Sequence, residues 1–147
     1  MKIIIVGSMT AAEEMVIAEK RLKDLGHEVT LPSFIQEYAA LKTHAEIHSE
    51  SAKNKIKYDL IRGYYKEIKN SDAILVVNVE RKGIKGYIGG NSFLEMGFAH
   101  VLNKPIYLLH EIPTVGYRDE IEAMKPISLN DNFELIGEKI EKIIARS

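Results

Sequence analysis

One acid stands in the middle of the segment Gly86-Tyr-Ile-Gly-Gly-Asn-Ser-Phe-Leu-Glu-Met-Gly-Phe-Ala-His100, just past a glycine-rich stretch. Gly86, Gly89 and Gly90 let the backbone take positive φ and approach a ligand without a Cβ in the way. A helix starting at Asn91 or Ser92 would aim its unpaired N–H groups at that ligand, an arrangement that suits anions and polar sugars. Glu95 could attack an electrophilic carbon there as a carboxylate nucleophile. It could equally do no chemistry: Ser92-Phe-Leu-Glu95 has the spacing of a capping box, in which the glutamate bonds back to the N–H of the cap residue, and spacing alone favours that role. Asn78 closes the apolar run before this segment and is placed to orient a ligand hydroxyl. Arg81, Lys82 and Lys85 lie in the loop between, where they could neutralise a phosphate or form an ordinary solvated surface.

Other chemistries find less support. The chain has no cysteine, which removes disulfides, thiolate catalysis and Cys-ligated zinc. Gly7-Ser-Met-Thr-Ala-Ala-Glu13 has one glycine where a dinucleotide fingerprint needs three, and the Walker lysine motif is absent. Ser8 and Thr10 could hold a flavin phosphate but serve as well as helix caps. His44 and His48 are four apart, with Glu46 and Glu50 nearby, yet no third ligand stands at a diagnostic spacing, so neither metal nor cofactor is expected. Twenty basic against twenty-one acidic side chains give a formal charge of −1, so no global field favours nucleic acid or an anionic membrane. No apolar run is long enough for a signal peptide or a membrane span, and a cytoplasmic protein is expected.

The elements that must position Glu95 follow from periodicity. With 147 residues, 46% apolar and 28% charged, the chain reads as one globular domain over residues 1–147. Lys2 to Val6 is a β-branched run, the mark of a strand buried on both faces. Thr10-Ala-Ala-Glu13 then has capping-box spacing, and Met15, Ala18, Leu22 and Leu25 recur at helical intervals up to Gly26. A second strand spans His27 to Leu31 and stops at Pro32, which completes a βαβ unit and predicts a parallel sheet. Residues 34–52 have no clear period and suggest a helical excursion or lid. Ile56, Leu60, Tyr64 and Ile68 mark one face of a helix over Ser51–Asn70, followed by a central strand at Ala73–Val77. Thirteen residues, Val79 to Asn91, precede the next helix at Phe93–Leu102, and loops of that length are usually functional or disordered. A strand at Pro105–Leu109, a short helix near Asp119–Met124, a brief strand around Ile127 and a C-terminal helix complete an α/β fold with a five-stranded parallel sheet.

Gly-Gly-Asn-Ser-Phe-Leu-Glu95-Met-Gly97-Phe-Ala99, after Asn-Ser-Asp72-Ala-Ile-Leu-Val-Val, resembles the nucleoside 2-deoxyribosyltransferase-like superfamily. The likeness starts at Ile3-Ile-Val-Gly-Ser8 and runs through Pro105-Ile-Tyr-Leu-Leu109. It implies a single-domain, flavodoxin-like, three-layer fold, and a glutamate that attacks C1′ of a deoxyribonucleoside or its 5′-monophosphate before the sugar passes to another base or to water. On that resemblance Glu95 is the nucleophile, Gly7 and Ser8 line the sugar or phosphate end, and Gly97 and Ala99 are small for close helix packing. The binding set is then Gly7, Ser8, Asn78, Gly89, Gly90, Asn91, Ser92, Lys82 and Lys85. The partner is a small nucleoside or nucleotide, and a homodimer or higher homo-oligomer is expected, with Tyr64, Tyr65 and Tyr117 as aromatic anchors. Active members usually carry an aspartate on the helix before the central strand, where this chain has Arg62-Gly-Tyr-Tyr-Lys66, with Asp59 one turn earlier. They also tend to have an aromatic residue in the first loop, here Ser8-Met9-Thr10. A noncatalytic nucleotide-binding module, with Glu95 capping or gripping ribose, is the alternative.

Overall fold

The computed structural model describes residues 1–32 and 59–138. Strand β1 (Lys2–Val6) leads through a 3-10 turn at Met9–Ala11 into α1 (Ala12–Asp24), and β2 (Glu28–Thr30) follows. Helix α2 (Leu60–Lys69), β3 (Ala73–Val76), α3 (Gly90–Val101), β4 (Ile106–Leu108), α4 (Arg118–Ala123) and β5 (Ile127–Ser128) come next, then a 3-10 turn at Phe133–Leu135. The strands form one parallel sheet in the order β2-β1-β3-β4-β5, the doubly wound flavodoxin-like order. The five-stranded α/β architecture expected from the sequence is present.

Alternation along the strands builds a core on each face. Ile3, Ile5, Leu75 and Val77 meet Met15, Ala18 and Leu22 of α1 on one side, together with Phe133. Ile4, Val6, Ile74 and Val76 meet Ile68 of α2, Met96 and Ala99 of α3 and Ile121 of α4 on the other. All four residues Ile3–Val6 are fully buried, as a strand covered on both faces requires.

Helix ends explain several boundaries. Gly26, at φ 90°, ends α1 in a Schellman arrangement: its N–H bonds the Lys23 carbonyl at 2.9 Å and the His27 N–H bonds that of Leu22 at 3.1 Å. Asn103, at φ 58°, closes α3 in the same way. At the start of α1 the cap is Ser8, whose side chain accepts from the Thr10 N–H, so the capping box expected at Thr10 and Glu13 gives way to a 3-10 turn begun one residue pair earlier. Within the helix expected over Ser51–Asn70, the described part α2 begins after Asp59, which takes left-handed φ of 47°. Residues 51–58 of that expected helix, the 34–52 segment with His44 and His48, and most of the expected C-terminal helix lie outside the described residues. Among the described residues no helix is long and apolar enough to cross a membrane, and no group of three potential metal ligands occurs.

Candidate functional site

The sheet order places its switch point between β1 and β3, whose carboxyl ends open into the loops after Val6 and Val76. Helix α3 starts beside these loops. Its cap is Gly89, with extended φ −82° and ψ 176°, so the helix begins at Gly90 rather than at Asn91 or Ser92. That shift removes the capping box. Ser92 becomes the third helical residue and is 3% exposed, Glu95 falls in the second turn, and the cap forms no side-chain hydrogen bond. Glu95 is instead 6% exposed, and its Oε1 accepts from Asn91 Nδ2 at 3.0 Å, one helical turn back. A buried carboxylate held in this way has a fixed direction, which a nucleophile needs and a surface glutamate lacks.

Glu95 and Asn91 line a cavity of about 200 Å³ between the α2–α3 pair and the residues after β1 and β2. Met9, Leu31, Leu60, Leu94 and Phe98 give it apolar walls, and Tyr64 and Glu67 enter from α2. The Tyr64 hydroxyl donates to the Ile5 carbonyl, which lies past the last β1–β2 register pair, Ile4↔Thr30. Desolvation pushes the ionisation of this phenol well above its ordinary range, and the charges of Glu95 and then Glu67 add to the shift. Two acidic side chains and one phenol thus line the same cavity. Glu67 was not singled out by the sequence; its one signal is its place three residues after Tyr64, on the flank of the Tyr64–Ile68 stripe. Asp59 precedes α2, pairs with Arg62 at 2.9 Å and is not among the described residues that line the cavity. Asp72, at the opposite, amino-terminal end of the central strands, accepts from the Lys2 N–H at 2.7 Å and ties β1 to β3.

The remaining expected site residues divide into groups. Gly7 sits where the ends of β1 and β3 touch: a Cβ there would lie 2.4 Å from Met15 Cε and 3.2 Å from the Val77 carbonyl oxygen. Ser8 Oγ is 2.8 Å from Thr10 Oγ1 and accepts from Arg81 Nη1 at 3.4 Å. Arg81 is thus the cation brought to the first loop. The other two diverge from it. Lys82 is exposed at φ 55°, with its ammonium 5.8 Å from the Tyr87 ring centre. Lys85 lines a separate polar groove with Glu111, Arg118, Ser128 and Asn130. Neither lysine lines the Glu95 cavity, so the expected convergence of three cations does not occur.

Of the three loop glycines, Gly86 takes positive φ (66°), whereas Gly89 and Gly90 do not. Asn78 is 1% exposed and is fully occupied within the chain. Its Nδ2 donates to the carbonyls of Gly86 at 3.1 Å and Glu111 at 2.9 Å, and its Oδ1 accepts from the His110 N–H at 2.9 Å. The side chain expected to meet a ligand hydroxyl instead clamps the loop before α3 to the loop after β4. Gly97 was expected to permit close packing, yet among the described residues a Cβ there would meet nothing within 4 Å; Ala99, fully buried, does pack closely. The tyrosines expected as anchors are likewise partly committed. Tyr64 and Tyr117 donate to the Ile5 and Ile88 carbonyls, Tyr65 stacks edge-on against Phe98 at 5.3 Å between ring centres, and Tyr65 alone of the three is more than a third exposed.

No protein-family model and no curated protein matches the chain. Among solved structures, the chain is similar to a 2-deoxyribosyltransferase from the psychrotolerant bacterium Bacillus psychrosaccharolyticus. The two share 23% sequence identity over 74% of this chain and 71% of that one, with a TM-score of 0.41.

Proposed function

We propose that this chain breaks the N-glycosidic bond of a (deoxy)nucleoside or its 5′-monophosphate by double displacement, with Glu95 as the nucleophile. The observation that carries the reading is a buried carboxylate, oriented by Asn91, lining a partly open cavity beside the sheet's switch point. In the first step a Glu95 oxygen attacks C1′, the C1′–N bond breaks and the base departs with the bonding pair, leaving a glycosyl ester. In the second, another base or water attacks C1′ and the ester oxygen returns to Glu95 as carboxylate. The apolar walls at Leu31, Leu60, Leu94 and Phe98 suit a planar base, and Asn91 keeps the nucleophile aimed.

The same reading gives the sugar and any phosphate to Gly7, Ser8 and Arg81, with the first N–H groups of α3 at Gly90, Asn91 and Ser92 and the loop glycine Gly89 beside them. Lys82 and Lys85, which stand away from the cavity, are left with at most a long-range charge effect. Asn78 contributes by holding the loop that delivers α3.

The test is chromatography of a panel of nucleosides and monophosphates after incubation, with and without an acceptor base, for the native chain and for Glu95→Gln. Base release by the native chain, lost by on the order of 10⁴-fold in Glu95→Gln, is the expected result. That loss corresponds to about 5 kcal/mol of transition-state stabilisation. Equal rates in the two proteins would refute the role of Glu95. A ligand bound saturably by both and left intact would identify a nucleotide-binding module instead.

A further inference from the structure

The geometry points to a second ligand site in this chain, a polar groove at the carboxyl ends of β4 and β5 whose chemistry fits a small phosphorylated sugar. It does not depend on the role of Glu95.

The strand order sets the two sites apart. The Glu95 cavity takes in Thr30, Leu31 and Pro32 at the end of β2, toward one margin of the sheet. The groove lies toward the other margin, around Ser128 at the end of β5 and Glu111 in the loop after β4. Among the described residues the two share no lining side chain. The groove has a volume of about 580 Å³, within the range of about 300–1,000 Å³ for small-molecule sites.

Both walls are fixed from behind. The buried Asn78 amide bonds the Gly86 and Glu111 carbonyls and the His110 N–H, so the loop before α3 and the loop after β4 are tied at their bases. On the first wall, Arg81 and Ile84 exchange backbone bonds at 3.2 and 2.9 Å, a tight turn that sets Ile84 and Lys85 into the groove. On the second, Arg118 Nη1 donates to the carbonyls of Ile112 at 2.9 Å and Pro113 at 3.2 Å. A frame already held in place loses little freedom when a ligand binds.

That frame presents unused hydrogen-bonding capacity. Among the described residues no bond or ion pair engages the Lys85 ammonium, Arg118 Nη2, the Thr114 and Ser128 hydroxyls, the Asn130 amide or the Glu111 carboxylate. Two cations with amide and hydroxyl donors suit a phosphate, to which charge-assisted bonds are strong. Arg118 is partly matched by Glu122 at 2.9 Å, which makes Lys85 the main cation. Glu111 would repel a bare anion, but it can accept from the hydroxyls of a sugar. Ile84 and Ile112, both part-buried, offer an apolar surface to the sugar's C–H faces. One acid among several donors thus favours a sugar phosphate over inorganic phosphate.

Two-dimensional amide NMR of the native chain titrated with ribose 5-phosphate, ribose and inorganic phosphate tests the site, with Lys85→Glu and Glu111→Gln as variants. Both side chains are exposed and unbonded among the described residues, so both variants should melt as the native chain does. Ribose 5-phosphate should saturably shift the amides of residues 84–86, of Glu111, Ile112 and Thr114, and of residues 128–130, and bind more tightly than ribose or phosphate. Lys85→Glu should weaken it by about tenfold or more, the loss of one charged bond. Glu111→Gln should weaken ribose 5-phosphate while phosphate binds equally or better. Glu95→Gln should bind the sugar phosphate in the groove like the native chain, whatever becomes of base release. Shifts confined to Gly7, Ser8 and the start of α3 would place the ligand in the Glu95 cavity and overturn the second site. Native affinity in Lys85→Glu, or no saturation by millimolar ligand, would overturn it too. Inorganic phosphate binding as tightly as ribose 5-phosphate, in the native chain and in Glu111→Gln alike, would overturn the assignment of a sugar.

Discussion

Replacing Gly86 by alanine tests whether the loop that delivers α3 is clamped as the geometry says. Gly86 has φ of 66°, and an added Cβ would stand 2.3 Å from the Glu111 carbonyl oxygen and 3.2 Å from Asn78 Nδ2. A left-handed conformation costs an L-residue about 1–2 kcal/mol. The clash adds to this, because the backbone at Glu111 cannot move aside as a flexible side-chain tip could. Relieving it must lengthen the Asn78 bonds to Gly86 and Glu111, and leaving a buried donor unsatisfied costs about 1–3 kcal/mol. The sum, about 2–5 kcal/mol, is a large part of the 5–15 kcal/mol by which domains are stable. At 2–4 °C per kcal/mol for chains of this size, the melting temperature should fall by on the order of 10 °C in a circular-dichroism melt. Gly90→Ala is the control, since its Cβ would meet nothing within 4 Å among the described residues, and it should change stability by no more than about 1 kcal/mol. In combination with Asn78→Ala, Gly86→Ala should cost less than it does alone, because residues sharing contacts are not additive. A Gly86→Ala protein melting within a degree or two of the parent would refute the clamp.

Two further outcomes follow from the helices around the cavity. Gly97→Ala should raise stability by about 0.5–1 kcal/mol, because the position is helical and a Cβ there meets nothing within 4 Å among the described residues; a drop in melting temperature would mean that something does approach it. For Tyr64, desolvation and the neighbouring Glu95 and Glu67 hold the phenol protonated above its ordinary value. The unfolded chain gives up this proton at about pH 10. Below that pH the stabilising term is fully present, and it is lost as pH climbs through the higher folded-state value. Denaturant melts of Tyr64→Phe should show a loss of about 1 kcal/mol at neutral pH from the missing bond to Ile5. They should also show a shallower decline above pH 10, with the remainder left to groups such as Tyr117, whose ionisation burial also raises. An unchanged alkaline slope would place the titration elsewhere.

How far the sequence carried depended on the range of the interactions involved. Lys2–Val6 was legible because two-sided burial writes itself as consecutive β-branched residues, and the end of α1 because only a residue at positive φ closes a Schellman turn, which Gly26 does. The start of α3 was misplaced because Ser92 and Glu95 carry a cap's spacing, while the extended backbone at Gly89 lets the helix begin sooner. Glu95 stood out by its motif, but whether it caps α3 or lines the cavity turned on that shift of the helix start to Gly90. Asn78 was misjudged because two of its partners, His110 and Glu111, lie more than thirty positions away. Glu67 stayed hidden for the same reason: what makes it notable is a neighbour on another helix. Lys82 and Lys85 looked like companions of Arg81 because they are near in sequence, yet the turns at Lys82, Gly83 and Gly86, all at positive φ, fan them apart.

The outermost strands have a consequence for behaviour in concentrated solution. β2 contributes three residues and β5 two, against five in β1 and four in β3. A stranger's strand docking on either margin would find only two or three backbone partners, too few to repay the ordering of an extended segment. Glu28 adds an exposed acid on the β2 side, a charge of the kind that discourages ribbon-like growth. The long apolar strands that would template such growth, β1 and β3, are shielded in the middle of the sheet. The native fold thus protects its most aggregation-prone sequence by placing it centrally, and fibre formation should require opening of the sheet rather than mere crowding of folded molecules.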